Sequence, residues 1–168
     1  MSLLRAIPLL LLVLPAVFAC KCVFQRPEVV LCKADWAARL HVLSRSKWFG
    51  RTVYRVELEH GIFLKHPNTS EFGEARPHHF DIATESDCAL DDLRVGAEYL
   101  LTGSYEADSG LLSFITKHFK ELSGNFVVDR CSQVADSKGH VFEWRSLPKR
   151  LEKAIVERRL NLCWNKNG

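Results

Sequence analysis

The sequence has no large excess of charge of one sign. Its 168 residues include 23 Lys and Arg against 20 Asp and Glu, which leaves a formal net charge of +3. Nucleic-acid-binding proteins carry a concentrated basic surface, so this balance argues against a nucleic-acid partner, although weak attraction to polyanions such as matrix glycosaminoglycans stays open. The 47% of hydrophobic and 26% of charged residues are typical of a globular chain, and we expect one domain.

Long hydrophobic runs are also scarce. The one long run, Ala6–Phe18, is interrupted by prolines and is too short to cross a bilayer as a helix. Arg5 before this run and a small-residue cleavage site ending at Ala19 are typical of a secretory signal peptide. We therefore predict no membrane span, a signal peptide over residues 1–19, and one secreted domain over residues 20–168.

The common catalytic motifs are absent, since the chain has no H-E-x-x-H, G-x-S-x-G, G-x-x-x-x-G-K or G-x-G-x-x-G. We therefore expect no enzymatic activity and no cofactor of the chain's own. Its seven histidines are scattered. Neighbouring residues of a strand point to opposite faces, so His78 and His79 cannot easily share one metal ion. We interpret the histidines as loop or surface residues.

All six cysteines lie beyond the predicted signal peptide, at positions 20, 22, 32, 88, 131 and 163. An even number of cysteines in a secreted chain predicts three disulfides, but their spacing alone leaves the pairing open. Zinc binding is the alternative use of these residues. The chain has no C-x-x-C pair, however, and its single C-x-C lacks an H-x-x-x-H partner, so disulfides are favoured.

Hydrophobic alternation predicts a mainly β fold. Thr52–Leu58 alternates clearly, as a half-buried strand does, and residues 36–43 alternate more loosely. Residues 98–105 and 111–119 are apolar, aromatic and β-branched, and they flank a segment with turn-forming residues. We expect the last two segments to form a hairpin.

Two segments lack a steady hydrophobic period. Residues 20–32 are expected to form an extended N-terminal arm with at most one short turn. Residues 65–77 contain two prolines and several polar side chains, which predict a loop. This loop includes the sequon Asn68-Thr69-Ser70, so Asn68 is a candidate glycosylation site.

A C-terminal helix is expected, with Ser146 as its cap, Pro148 in its first turn and its end near Cys163. Its apolar residues share one face, and the mixed charges of residues 149–159 predict a solvated face, with a glycosaminoglycan or partner site as the alternative. About five strands followed by one helix, without β-α-β alternation, favour a small closed five-stranded barrel with one packed helix.

The predicted mature chain begins with Cys20, whose α-amino group is a candidate metal ligand. If Cys20 and Cys22 are both disulfide-bonded, the free α-amino group of Cys20 is held at the surface. An α-amine has a pKa close to neutral pH, so a useful fraction of it is the neutral nitrogen ligand. Together with the Cys20 carbonyl oxygen, it can close a five-membered chelate on another protein's catalytic zinc, which keeps one position open. An ordinary disulfide-tied N-terminus is the alternative.

Short motifs follow one another through the mature chain in a fixed order: Cys20-x-Cys22-Val23, Cys32-Lys33-Ala34-Asp35, Glu85-Ser86-x-Cys88, Gly96-x-Glu98-Tyr99-Leu100-Leu101-x-Gly103, Cys131-Ser132-x-Val134-Ala135 and Trp144-x-Ser146-Leu147. This order resembles the N-terminal, netrin-like domain of the tissue inhibitors of metalloproteinases. The resemblance implies an OB-type five-stranded barrel. It also implies three disulfide pairs, Cys20–Cys88, Cys22–Cys131 and Cys32–Cys163.

The resemblance further implies a secreted, monomeric inhibitor of zinc metalloendopeptidases of the matrix metalloproteinase type, located in the extracellular space or matrix. In this family the first residue chelates the zinc of the target protease through its amine and carbonyl, and the second residue enters the S1′ pocket of that protease. Carried over residue by residue, the implied protease-binding residues are Cys20 on the zinc, Lys21 in the pocket, Cys22 and Val23 along the cleft, and Ser86 and Asp87 beside them.

Three residues differ from the family's usual pattern. The family has a small or hydroxyl residue where Lys21 stands, a proline where Phe24 stands and an apolar residue where Asp87 stands. Lys21 and Asp87 keep a second interpretation open. In it the chain is a netrin-like binding module with the same fold and disulfides, which binds a matrix component or growth factor through its basic helix or barrel loops.

Overall fold

The computed structural model describes residues 20–48, 50–66, 78–84, 88–105 and 126–157. Its regular elements are α1 (Pro27–Lys33), β1 (Trp36–Trp48), β2 (Arg51–Lys65), β3 (His79–Thr84), β4 (Glu98–Tyr105), β5 (Phe126–Val128) and α2 (Lys149–Val156). Two single-turn 3₁₀ helices, Arg130–Ser132 and Trp144–Ser146, lie between β5 and α2. Within the described ranges, no helix is long and apolar enough to span a membrane.

The five strands form a closed barrel in the order β1-β2-β3-β5-β4. Strand β1 pairs antiparallel with both β2 and β4, and β2 pairs antiparallel with β3. Strand β5 closes the barrel because it pairs in parallel with β3 and antiparallel with β4. This is the strand order of an OB-type barrel, so the predicted fold class is confirmed.

The interior of the barrel is apolar. The alternation predicted for β2 is confirmed, since Tyr54, Val56 and Leu58 are all buried. In β4, a Cβ atom at Gly103 would lie 2.2 Å from the Val127 carbonyl oxygen and 2.7 Å from the Trp36 ring. Only glycine therefore allows the barrel to close around the buried indole.

The two α-helices pack against the outside of the barrel. They share a second apolar cluster, which comprises Val30, Leu31, Ala37, Leu100, Val134, Leu147, Leu151 and Ile155. The Lys65 ammonium at the end of β2 donates to the Cys32 carbonyl oxygen over 2.9 Å and also to the Ala34 carbonyl oxygen. These bonds attach the end of α1 to the barrel, and burial lowers the pKa of Lys65 despite the nearby Asp35 carboxylate.

The N-terminal arm, which was predicted to be extended with at most one short turn, contains the seven-residue helix α1. Pro27–Lys33 is a helix whose first turn holds Pro27 and Glu28 and whose last turn holds Lys33. Proline at the first position and charges opposed to the helix dipole favour a helix, although seven residues are too few to show a period.

The predicted helix cap was also wrong. Ser146 lies in a 3₁₀ helix and donates to the Glu143 carbonyl oxygen over 2.9 Å. The N-cap of α2 is Pro148, which makes no side-chain cap hydrogen bond. The predicted buried face of this helix is correct at Leu151 and Ile155.

The sequence predicted only some of the strands and part of their lengths. Strand β2 continues to Lys65, further than the predicted Leu58, and β3 and β5 were not predicted at all. The second strand of the expected hairpin, residues 111–119, lies outside the described residues, as do the predicted signal peptide and the expected helix end near Cys163.

Candidate functional site

Two disulfides attach residues 20–22 to the barrel. Cys20 is bonded to Cys88 and Cys22 to Cys131, with Cα–Cα distances of 5.4 and 4.9 Å. These are two of the three pairs that the resemblance implied. The third implied pair, Cys32–Cys163, stays a prediction because Cys163 lies outside the described residues.

The two disulfides pack side by side. The Cys20 sulfur lies 3.5 Å from that of Cys22 and 3.4 Å from that of Cys131, and all four sulfurs lie within 4.8 Å of one another. Four thiolates at this spacing could ligate a metal ion, but metal binding requires the thiolate and these sulfurs are bonded in pairs. The cluster is therefore a covalent anchor for residues 20–22.

The two segments that hold the anchor are joined to each other. The Arg130 backbone N–H donates to the Cys88 carbonyl oxygen over 2.9 Å. The Arg130 guanidinium makes two hydrogen bonds, of 3.2 and 3.1 Å, to the Asp92 carboxylate. Because a bidentate pair fixes geometry as well as distance, the segments around Cys88 and Cys131 behave as one support.

Gln133 fixes this support to strand β4. Its buried amide nitrogen donates to the carbonyl oxygens of Thr102 and Asp129 over 2.7 and 2.9 Å, and its amide oxygen accepts from the Thr102 N–H over 3.1 Å. Sequence reasoning missed this residue, since Gln133 is the unspecified position of the motif Cys131-Ser132-x-Val134. No local pattern marks it, because its partner in strand β4, Thr102, is 31 residues away along the chain.

Residues 20–24 form a surface that we call the N-terminal ridge. Cys20 and Cys22 are half-buried, whereas the Lys21 side chain between them is exposed. Val23 and Phe24 follow with 81% and 41% of their surface exposed. A rigid backbone therefore presents one cationic and two apolar side chains to solvent.

The base of the ridge rests on a tight turn, Asp136–His140. Gly139 has a φ of +83°, and a Cβ atom there would lie 2.5 Å from Cζ of Phe24. One oxygen of Asp136 accepts from the N–H groups of Lys138 and His140 over 2.8 and 2.9 Å. The hydrogen bond from His140 N–H contributes most to the lowered pKa of Asp136.

A groove of about 300 Å³ adjoins the ridge on its α1 side. Its lining includes Gln25, Lys33, Asp35 and Cys131. The Lys33 ammonium donates to the side-chain oxygen of Gln25 over 2.9 Å, which orders the groove wall next to Phe24. Ridge and groove therefore form adjoining parts of one surface.

The structure thus brings four of the predicted site residues together, namely Cys20, Lys21, Cys22 and Val23. Ser86 and Asp87 lie outside the described residues, as does the candidate glycosylation site Asn68. The segment that contains Ser86 and Asp87 ends at Cys88, which is bonded to Cys20.

The zinc-binding role predicted for Cys20 depends on its backbone nitrogen. While Ala19 precedes Cys20, this nitrogen belongs to a peptide bond and cannot donate a lone pair to a metal. Cleavage after Ala19 would convert it into an amine two bonds away from the carbonyl carbon. The disulfide of Cys20 would then hold both atoms of a chelate at a fixed position.

No protein-family model matches the chain, and no curated protein is significantly similar to it in sequence. The resemblance to the metalloproteinase inhibitors therefore depends on the motifs of this chain itself.

Proposed function

We propose that the mature chain is a secreted inhibitor of zinc metalloendopeptidases of the matrix metalloproteinase type, with the netrin-like fold of their tissue inhibitors. The observation that carries the proposal is the pair of disulfides on either side of Lys21, which fix an exposed N-terminal ridge on the barrel. A substrate-like segment in a protease cleft loses conformational entropy on binding. A ridge that is already ordered avoids most of that loss.

In this proposal the Cys20 amine and carbonyl oxygen bind the catalytic zinc of the protease. They replace the water that occupies the open position of such a site. Without that water the protease lacks its nucleophile. Cys22 and Val23 then lie along the cleft, and the disulfide of Cys22 holds this part of the backbone against the rearrangement that cleavage of a bound peptide requires.

Lys21 determines which protease is a suitable target. In a deep apolar S1′ pocket its ammonium would be desolvated without a partner, at an effective cost of several kcal/mol. A nanomolar complex has a binding free energy of only about 12 kcal/mol, so this cost is decisive. We infer that the natural target has an S1′ pocket that is open to solvent, where the ammonium can reach water, or that contains a carboxylate.

The test is a titration of the correctly processed, disulfide-bonded protein against a panel of zinc endopeptidases with different S1′ pockets. The proposal predicts stoichiometric inhibition of at least one protease whose pocket is open or acidic, and weak inhibition of those with deep apolar pockets. A Cys22→Ser, Cys131→Ser double variant is the matched control, because it keeps the Cys20 amine but releases one side of Lys21. Failure to inhibit any member of a broad panel would overturn the proposal.

A second candidate function is a binding module for an acidic matrix polysaccharide. Its support is a basic surface on and before α2, where Arg145, Lys149 and Arg150 are all exposed. Such binding weakens steeply with salt because it depends on counterion release and screening. Retention on a heparin column at low salt, lost in an Arg145→Glu, Lys149→Glu, Arg150→Glu variant, would support this function in place of or beside inhibition.

A further inference from the structure

The outer wall of the barrel carries a row of alternating carboxylate and imidazole side chains. His41 in β1 lies opposite Glu98 of β4 on one side and opposite Glu57 of β2 on the other. Glu57 in turn lies opposite His79 of β3. Directly opposed residues on neighbouring strands share a face and have Cβ atoms about 5 Å apart, so the four side chains form one line across four strands.

The central carboxylate of this row contacts both imidazoles. Glu57 Oε2 lies 4.0 Å from Nδ1 of His41, and Glu57 Oε1 lies 3.4 Å from Nε2 of His79. The side chains of His41, Glu57 and His79 are 33%, 40% and 47% exposed, so a small solute can reach all three.

Glu98 has a different partner. Its carboxylate accepts from Nε of Arg39 over 3.0 Å and also from Nη2 of the same guanidinium. This ion pair occupies the carboxylate at one end of the row. His41, Glu57 and His79 are therefore the three groups of the row that are available to a ligand.

We propose that His41, Glu57 and His79 form a binding site for a divalent transition-metal ion, with zinc as the best-suited ion. Two neutral imidazoles and one carboxylate are a ligand set that zinc uses in proteins, and they leave a fourth position open. Imidazole also favours zinc, copper and nickel over magnesium and calcium, which select oxygen ligands. The open position would accept water or a side chain of a binding partner.

The strand pairing supplies the preorganisation that the site needs. For coordination, the two imidazole nitrogens and one Glu57 oxygen must move to points about 2 Å from a common centre above β2. The proposal requires the two exposed histidine side chains to rotate toward Glu57, while the strand pairing keeps their Cα atoms in register with it.

This site is independent of the proposed inhibitory function. It is built on the walls of β1, β2 and β3 and includes no residue of the N-terminal ridge. In the sequence His79 lies beside His78, whereas in the fold its relevant neighbour, Glu57, comes from another strand.

The experiment is a calorimetric titration of the disulfide-bonded mature protein with zinc chloride near pH 7.5, where most imidazoles are neutral. The α-amino group is acetylated beforehand, so that Cys20 cannot contribute a ligand. We expect one zinc ion per chain, and an affinity at least about tenfold lower in both His41→Ala and His79→Ala. His78→Ala is the matched control and should bind zinc as the parent does, because His78 is also exposed but lies outside the row.

Cobalt supplies a second readout, since Co²⁺ bound by nitrogen and oxygen ligands absorbs visible light. The parent and His78→Ala should show the same visible spectrum, and His79→Ala should lose it while its circular dichroism stays unchanged. The proposal is overturned if the protein binds no zinc, or if the parent, His41→Ala and His79→Ala bind it with equal affinity.

Discussion

The ring of Phe24 lies directly on Gly139, so closely that a side chain at Gly139 would displace it. This contact joins the exposed ridge to the Asp136–His140 turn. The family resembled by the sequence has a proline where Phe24 stands, and proline restricts the chain by its own ring. Here a contact between two distant residues supplies a comparable restraint.

Replacement of Gly139 by alanine tests that contact, and Gly96→Ala is its matched control. Both glycines have a φ of +83°, but nothing lies within 4 Å of a Cβ atom at Gly96. Each variant should lose about 1 kcal/mol of stability from the left-handed backbone. Only Gly139→Ala should also lose the nuclear Overhauser contacts between the Phe24 ring and residue 139. Their persistence in that variant would show that the ring is positioned by something else.

Substitution of Gln133 should destabilise the support beneath the ridge. Gln133→Leu leaves the Thr102 N–H and the carbonyl oxygens of Thr102 and Asp129 without this partner in the interior. Unsatisfied buried groups cost about 1 to 3 kcal/mol each, and we expect a loss of about 3 kcal/mol in denaturant unfolding. The control Gln25→Leu alters an exposed glutamine and should change stability by less than about 0.5 kcal/mol. Equal losses in the two variants would contradict this role of Gln133.

The turn formed by Asp136–His140 should lose stability at acid pH. Its hydrogen bonds, that from His140 N–H foremost, lower the pKa of Asp136 in the folded chain below its ordinary value of 3.8. The stabilisation is therefore complete above that value and is lost as the pH falls through the lower pKa of the folded state. Amide proton shifts of Lys138 and His140 should follow this titration. A midpoint at or above 3.8 would show that the turn does not stabilise the carboxylate.

Lys21→Thr tests the side chain that the ridge presents between its disulfides. We expect inhibition constants to fall by at least about tenfold for proteases with deep apolar S1′ pockets, because no ammonium is then desolvated. For a target with an open or acidic pocket, binding should be unchanged or weaker. If no protease in the panel responds to the substitution, the Lys21 side chain enters no S1′ pocket.

The sequence predicted the structure best where it depends on local periodicity or on disulfide bonds. The alternation of Tyr54, Val56 and Leu58 identified a strand and its buried face, and the buried face of α2 followed from helical periodicity. The C-x-C motif at Cys20, together with the resemblance, indicated how the ridge is attached.

Other features could not be predicted because they depend on tertiary pairing. Strand β5 has only three residues and exists because β3 and β4 pair with it on either side. The hydrogen bonds between Gln133 and Thr102 arise only when segments distant in sequence come together. The line through His41, Glu57 and His79 likewise requires three strands to come into register.

In the proposed function, the Cys20 amine binds the zinc of a target protease. This is tested by comparing the inhibition constant of the mature protein with that of the same protein carrying one additional alanine before Cys20. The extension converts the amine into an amide, which has no available lone pair, and it fills the space at the metal. We predict that inhibition is abolished while disulfides, unfolding temperature and circular dichroism are unchanged. Full inhibition by the folded, extended protein would contradict zinc chelation by Cys20.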